Sequence, residues 1–236
     1  MKIKFAIIIS ILLVISLSSC GQEDTPYENE NSRISAGKNT NSKNNTDNTS
    51  KSVHVLIAYF TLPENVGDSD IDAISRASVV IKDNEKMGST EYIAKLVQKT
   101  IGGDLFRIET KDSYPMEHDM LLDRAAEEQE CDIRPELSSH VENIVQYDII
   151  ILGFPIWWGD LPMPVYSFLE EYGFGNKTII PFVTYNRSGF SNTLDTITQL
   201  QPGADISDNI LSLSREDVSD GEEKVREWAE GLRVPQ

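Results

Sequence analysis

Tyr147-Asp148-Ile149-Ile150-Ile151-Leu152-Gly153-Phe154-Pro155-Ile156-Trp157-Trp158-Gly159-Asp160 joins a strand-length apolar run to a turn that carries two adjacent tryptophans. Tyr147 to Phe154 shows no alternation of polar and apolar residues, the pattern of a strand buried on both faces. Such strands belong to parallel sheets with helices on either side. The turn that follows is costly to leave in water, because each indole carries a large apolar surface. A flat ligand ring would cover Trp157 and Trp158, and so would core packing or a subunit contact. Gly159 lets the backbone pass close to a ring edge. Pro155 and Ile156 lead into the turn and belong to the same candidate wall.

The same alternation of buried run and helical pattern extends in both directions. Val53 to Phe60 reads as a first strand, Leu105 to Ile108 as a second, Tyr147 to Phe154 as the third, Thr178 to Thr184 as a fourth and Ala204 to Leu213 as a weaker fifth. Between them, Ile93, Leu96, Val97 and Ile101 share one helical face, and Gly102-Gly103 stops that helix. Further helices are expected over Met116 to Glu130, Met163 to Tyr172, Ser191 to Leu200 and Glu216 to Leu232. Strands separated by helices predict an α/β fold of three layers, a five-stranded parallel sheet with helices on both faces. Ligands of such sheets sit outside the carboxyl ends of the strands, where the strand order switches.

Two more loops belong to that edge. Gly88-Ser89-Thr90-Glu91 opens the first helix, where Ser89 or Thr90 can cap and the unpaired amides of the first turn favour a phosphate. Helix caps of this kind are common, so the position after the first strand carries the reading. The fourth strand runs into Thr184-Tyr185-Asn186-Arg187-Ser188-Gly189, which offers hydroxyls, an amide and a permissive glycine. An anion nest, an aromatic wall and a polar rim at one edge match a phosphorylated planar cofactor.

The N-terminus reads differently. Lys2 and Lys4 precede an apolar run from Phe5 to Leu17, too short to span a bilayer comfortably and of signal-peptide proportions. It ends in Leu17-Ser18-Ser19-Cys20-Gly21, which resembles the lipobox of bacterial lipoproteins; residues 1–19 are then a removable leader and Cys20 the lipidated first residue, the other reading being an ordinary cleaved signal with a chance cysteine. Several acyl chains at roughly 0.8 kcal/mol per buried methylene make a firm membrane anchor. Residues 20–52 are rich in Asn, Ser and Thr and too polar to offset the entropy of ordering, so they are expected to be a disordered tether. That leaves 53–236 as one domain.

The whole chain carries a net charge of −17, which becomes −19 when Lys2 and Lys4 leave with the leader, and nearly all of it lies on the domain. Such acidity argues against nucleic acid as a partner. It also favours hydroxyls and backbone amides as the groups that hold a phosphate, with Thr61, Ser89 and Thr90 as candidates. Once Cys20 is acylated only Cys131 remains, so no internal disulfide and no cysteine-built metal site is expected.

The residues so far quoted resemble the flavodoxin-like family, and within it the flavodoxin-like bacterial lipoproteins and flavin reductases. The resemblance rests on Val55 to Thr61 with Gly88-Ser89-Thr90, on Gly153 to Gly159, and on Lys177 to Phe182 leading to Ser188-Gly189. It implies a sheet in the order 2-1-3-4-5 and FMN as cofactor. Carried over by position, Thr61, Gly88, Ser89 and Thr90 hold the phosphate, while Pro155, Ile156, Trp157, Trp158, Gly159, Thr184, Tyr185 and Gly189 surround the ring. The chemistry implied is electron transfer, or reduction of a small acceptor such as a quinone, with a small-molecule or protein donor; oligomerisation is left open.

The chain departs from that pattern in residues 62–87, an insertion that includes Asp68, Asp70, Asp72 and Val79-Val80-Ile81. It is either a hairpin over the ring or a surface excursion. Arg187 also stands where the resemblance implies glycine. His118 and His140 fall outside the loops of the inferred site and read as solvated or structural, His54 lies at the opposite edge, and Asp119, Asp123, Glu127, Glu128 and Glu130 read as the wet face of a helix. Two functions remain in view: an FMN-dependent oxidoreductase or electron carrier, and an exported binding or structural lipoprotein that keeps the fold without flavin.

Overall fold

The computed structural model describes residues 52–63, 78–186 and 189–232. The leader, Cys20, the tether up to Lys51, Asp68, Asp70, Asp72 and Arg187 lie outside them. Strand β1 (Val55–Tyr59) is buried along its whole length. An antiparallel hairpin follows, β2 (Val79–Lys82) and β3 (Glu85–Gly88), turning at Asp83 and Asn84, whose φ values of 51° and 64° are those of a two-residue hairpin turn. Helix α1 (Ser89–Ile101) leads to β4 (Asp104–Arg107), and α2 (His118–Glu130) leads through a short 3-10 turn to β5 (Ile149–Pro155). Then come α3 (Met163–Glu171), β6 (Thr178–Tyr185), α4 (Thr193–Leu200), β7 (Asp205–Ile206), β8 (Leu211–Ser214) and α5 (Glu222–Gly231).

The main sheet is parallel and runs β4-β1-β5-β6, with β7 and β8 both alongside β6. Counted without the hairpin, this is the expected order of second, first, third, fourth and fifth strand. The fifth strand is divided, however, giving six strands instead of five. Asn209 N–H donates to Ser207 Oγ and Ile210 N–H to the Asp208 carbonyl, and these local bonds take the backbone out of the ladder between β7 and β8. The last helix begins six residues later than expected because Ser214 and Asp217 close a turn on each other.

Both faces of the sheet are covered. Leu56, Ala58, Leu152 and Phe154 pack on one face with Leu121, Phe168 and Ile197 from α2, α3 and α4. Ile57, Ile151 and Phe182 pack on the other with Ile93, Val97, Val225 and Ala229 from α1 and α5. Neighbours along a strand point to opposite faces, so an unbroken apolar run is what two buried faces require. Gly153 and Phe182 are partners in the β5–β6 register, and the phenyl ring lies across the glycine; a β-carbon at 153 would stand 2.0 Å from Phe182 Cζ. The hairpin settles the described part of the insertion as a folded element, with Val80 and Met87 packed into the α1 and α5 face.

Candidate cofactor site

The order of the sheet reverses between β1 and β5, and the carboxyl ends of those strands, with that of β6, open into a cavity of about 340 Å³. This is the volume of a small-molecule site. Its two ends differ in chemistry because they come from opposite faces of the sheet.

The polar end belongs to the α1 side. Thr61, Thr90 and Thr184 are buried and line it, and the Thr90 and Thr184 hydroxyls lie 3.0 Å apart. Ser78, at the entrance to the hairpin, and Arg215, just past β8, line the same end, with Arg215 Nη1 at 3.4 Å from Ser78 Oγ. The Ser78 carbonyl accepts the N–H of Ser89 at 2.8 Å, so the hairpin is bonded directly to the start of α1. Beside that contact, Ser89 Oγ is buried without a hydrogen-bond partner. An unpaired buried hydroxyl costs about 1–3 kcal/mol, and this one lies behind the cavity wall, at the start of α1.

The apolar end belongs to the α2 side. Leu121 and Ala125 face the cavity from α2, Leu62 from the end of β1, and Ile156 and Trp157 from the turn after β5. Trp157 is half-buried and packs edge-on against Phe60 and Tyr114, with ring centroids 5.3 and 5.5 Å away. Trp158 is different: 57 % of it is exposed, and its φ is 49°. With Gly159 at φ 82° it forms the centre of a tight turn whose ends, Trp157 and Asp160, exchange both backbone hydrogen bonds at 3.0 and 2.9 Å. Glycine accepts that angle without cost, whereas a bulky side chain there is strained.

The turn is held from behind by Asp160. Its carboxylate accepts the Leu161 N–H at 2.8 Å, the Thr196 hydroxyl at 2.9 Å and the Tyr166 hydroxyl at 3.1 Å. Burial, with the Asp160 charge beside it, pushes the Tyr166 hydroxyl up to about 12, so it stays a donor through the physiological range. Behind Trp157, the Tyr114 hydroxyl donates to the buried Glu128 carboxylate, and Arg124 both bonds Glu128 at 2.9 Å and covers the Tyr114 ring at 4.1 Å. Burial and this bond raise Tyr114 well above the usual tyrosine range.

The family described as Flavodoxin matches residues 72–232, more than half of the chain. The chain belongs to the flavodoxin family. No curated protein matches its sequence. Among solved structures, this flavodoxin-family chain is similar to a candidate flavoprotein of Bacteroides eggerthii, with 24% identity, 77% of this chain and 99% of that one covered, and a TM-score of 0.57. It is also similar to a candidate flavoprotein of Bacteroides uniformis, with 28% identity, coverage of 73% and 99%, and a TM-score of 0.55. These likenesses agree with the fold described above.

Of the residues expected at the site, the structure of this flavodoxin-family chain brings Thr61, Thr90, Pro155, Ile156, Trp157, Trp158, Thr184 and Tyr185 to one cavity. Gly88, Ser89, Gly159 and Gly189 do not form its wall. Gly88 stands behind Thr61, and the Ser89 amide is already taken by the Ser78 carbonyl, so the expected open helix start is partly closed by the hairpin. Sequence reasoning placed His118 outside the site, yet it lines the cavity, because α2 leans its first turn over the sheet edge. Glu128 is likewise no part of a wet face, being buried against Tyr114. Leu121, Ala125 and Arg215 were also missed. The spacing of Leu121, Ala125 and Glu128 on one helical face was the available signal.

Proposed function

We propose that this chain binds FMN in the cavity and serves in electron transfer, or in flavin-dependent reduction of a small acceptor such as a quinone. The observation that carries the reading is a single cavity with threonine hydroxyls and Arg215 at one end and the tryptophan turn at the other. Membership of the flavodoxin family supports the same cofactor. An isoalloxazine supplies reversible one- and two-electron chemistry when bound, and the protein's part is to bind, orient and shield it. Trp157, fixed by Phe60 and Tyr114, offers a rigid apolar side to a ring. The Asp160 bonds keep Trp158 at the mouth, where it can close over a ring face. The hydroxyls of Thr61, Thr90 and Thr184 provide donors at the phosphate end. Leu62, Leu121 and Leu122 leave an apolar approach beside the ring, suited to a nonpolar acceptor.

One observation favours the second reading, an exported protein that keeps the fold without flavin: the Ser89 amide, a donor that a phosphate would use, is engaged by the hairpin. Purified protein is expected to be yellow, or to become so with added FMN, with quenching of the flavin fluorescence. A colourless protein that leaves FMN fluorescence unchanged would establish the second reading and end the first.

The leader and Cys20 support attachment of the domain to a bacterial membrane by lipid, with residues 20–52 as tether. Cys20→Ser is expected to shift the protein from the membrane fraction to the soluble fraction of the cell envelope. Retention of the variant in the membrane would refute the lipid anchor.

A further inference from the structure

We infer that Arg215 is the phosphate-recognising cation of the cavity, a specificity residue that makes this chain select a phosphorylated flavin over riboflavin. The inference rests on the flavin reading and adds to it, because the acidic composition pointed to a phosphate site built from hydroxyls and amides alone.

Four observations place the cation there. The backbone N–H of Arg215 donates to the Tyr185 carbonyl at 2.8 Å, which fixes the residue at the carboxyl end of β6. Its guanidinium reaches Ser78 Oγ, and the Ser78 carbonyl holds the Ser89 N–H, so Arg215 stands next to the start of α1. At that start, Ser89, which stands behind the cavity wall, is 1 % exposed and its Oγ has no partner. Finally, the chain carries 38 acidic residues, yet no carboxylate lines the cavity among the described residues, where an arginine and a histidine do. Among the described residues, the wall therefore sets no carboxylate against an anion.

The hairpin explains why a cation is needed. Ser78 removes one amide from the helix start, and hydroxyls alone are weak compensation for a dianion that an acidic domain repels. A planar guanidinium replaces the lost donor and adds charge, and its forked N–H groups match the spacing of phosphate oxygens.

The test compares FMN with riboflavin, which differ at the phosphate. The full chain is titrated with each by quenching of flavin fluorescence, as wild type, Arg215→Gln and Arg215→Lys. Wild type is expected to prefer FMN by about tenfold or more. Arg215→Gln should abolish that preference by weakening FMN alone, with riboflavin affinity unchanged, and Arg215→Lys should keep part of it. Equal wild-type affinities for FMN and riboflavin would overturn the inference without any variant and leave the flavin reading standing. So would an Arg215→Gln protein that binds FMN as well as wild type, or one that loses both ligands equally. A wild-type chain that binds neither flavin would overturn the inference and the proposed function together.

Discussion

Trp158→Gly is expected to leave the fold as stable as wild type, or up to about 1 kcal/mol more stable, while FMN binding falls about tenfold. The two effects separate because Trp158 contributes little to the core: 57 % of it is exposed, and its φ of 49° suits glycine. Removing the side chain relieves roughly 1–2 kcal/mol of backbone strain, offset in part by the extra freedom glycine gives the unfolded chain. Trp158→Ala keeps the strained β-carbon and should show the same loss of binding without the relief. Urea denaturation and fluorescence titration measure the two quantities independently. A glycine variant destabilised by more than about 1 kcal/mol would mean that the indole is a packing residue, and strain at the site would then have no functional meaning.

Gly153→Ala should cost roughly 2–3 kcal/mol, a large effect for one methyl group. Its β-carbon would lie 2.0 Å from Phe182 Cζ, and the Phe182 ring is fully buried with Trp228 against it at 6.3 Å between centroids. A packed ring at the centre of a sheet cannot swing aside without opening a void. Phe182→Leu in the same chain should recover part of the loss, so the two substitutions are expected to be less than additive in urea midpoints. Strict additivity, or a loss below about 1 kcal/mol for Gly153→Ala, would show that the ring moves freely.

The fold was legible wherever burial is two-sided. Ile149 to Phe154 and Ile179 to Val183 have no polar member because helices cover both faces, and that leaves few other readings for them. The tryptophan turn was legible for a similar reason, since two adjacent indoles in a turn need an explanation. The rest depended on tertiary neighbours. Glu128 looks like any helical surface acid until Tyr114, 14 residues earlier, folds back onto it. Arg215 follows the divided fifth strand, the weakest pattern in the chain, and only the alignment of β8 with β6 carries it to the sheet edge. Nothing local in Ser78 announces that its carbonyl will occupy the amide of Ser89. Such residues are positioned by pairings far apart along the chain, which periodicity does not report.

The polar end of the cavity draws on positions as separated as Thr61, Ser78, Thr90, Thr184 and Arg215. No short fragment of the domain holds this set, so the cavity exists only while the strands, the hairpin and α1 are assembled together. Whatever small molecule it accepts therefore binds only finished molecules. At a hundred times its dissociation constant it would shift the folding equilibrium by about 2.7 kcal/mol for the domain as a whole.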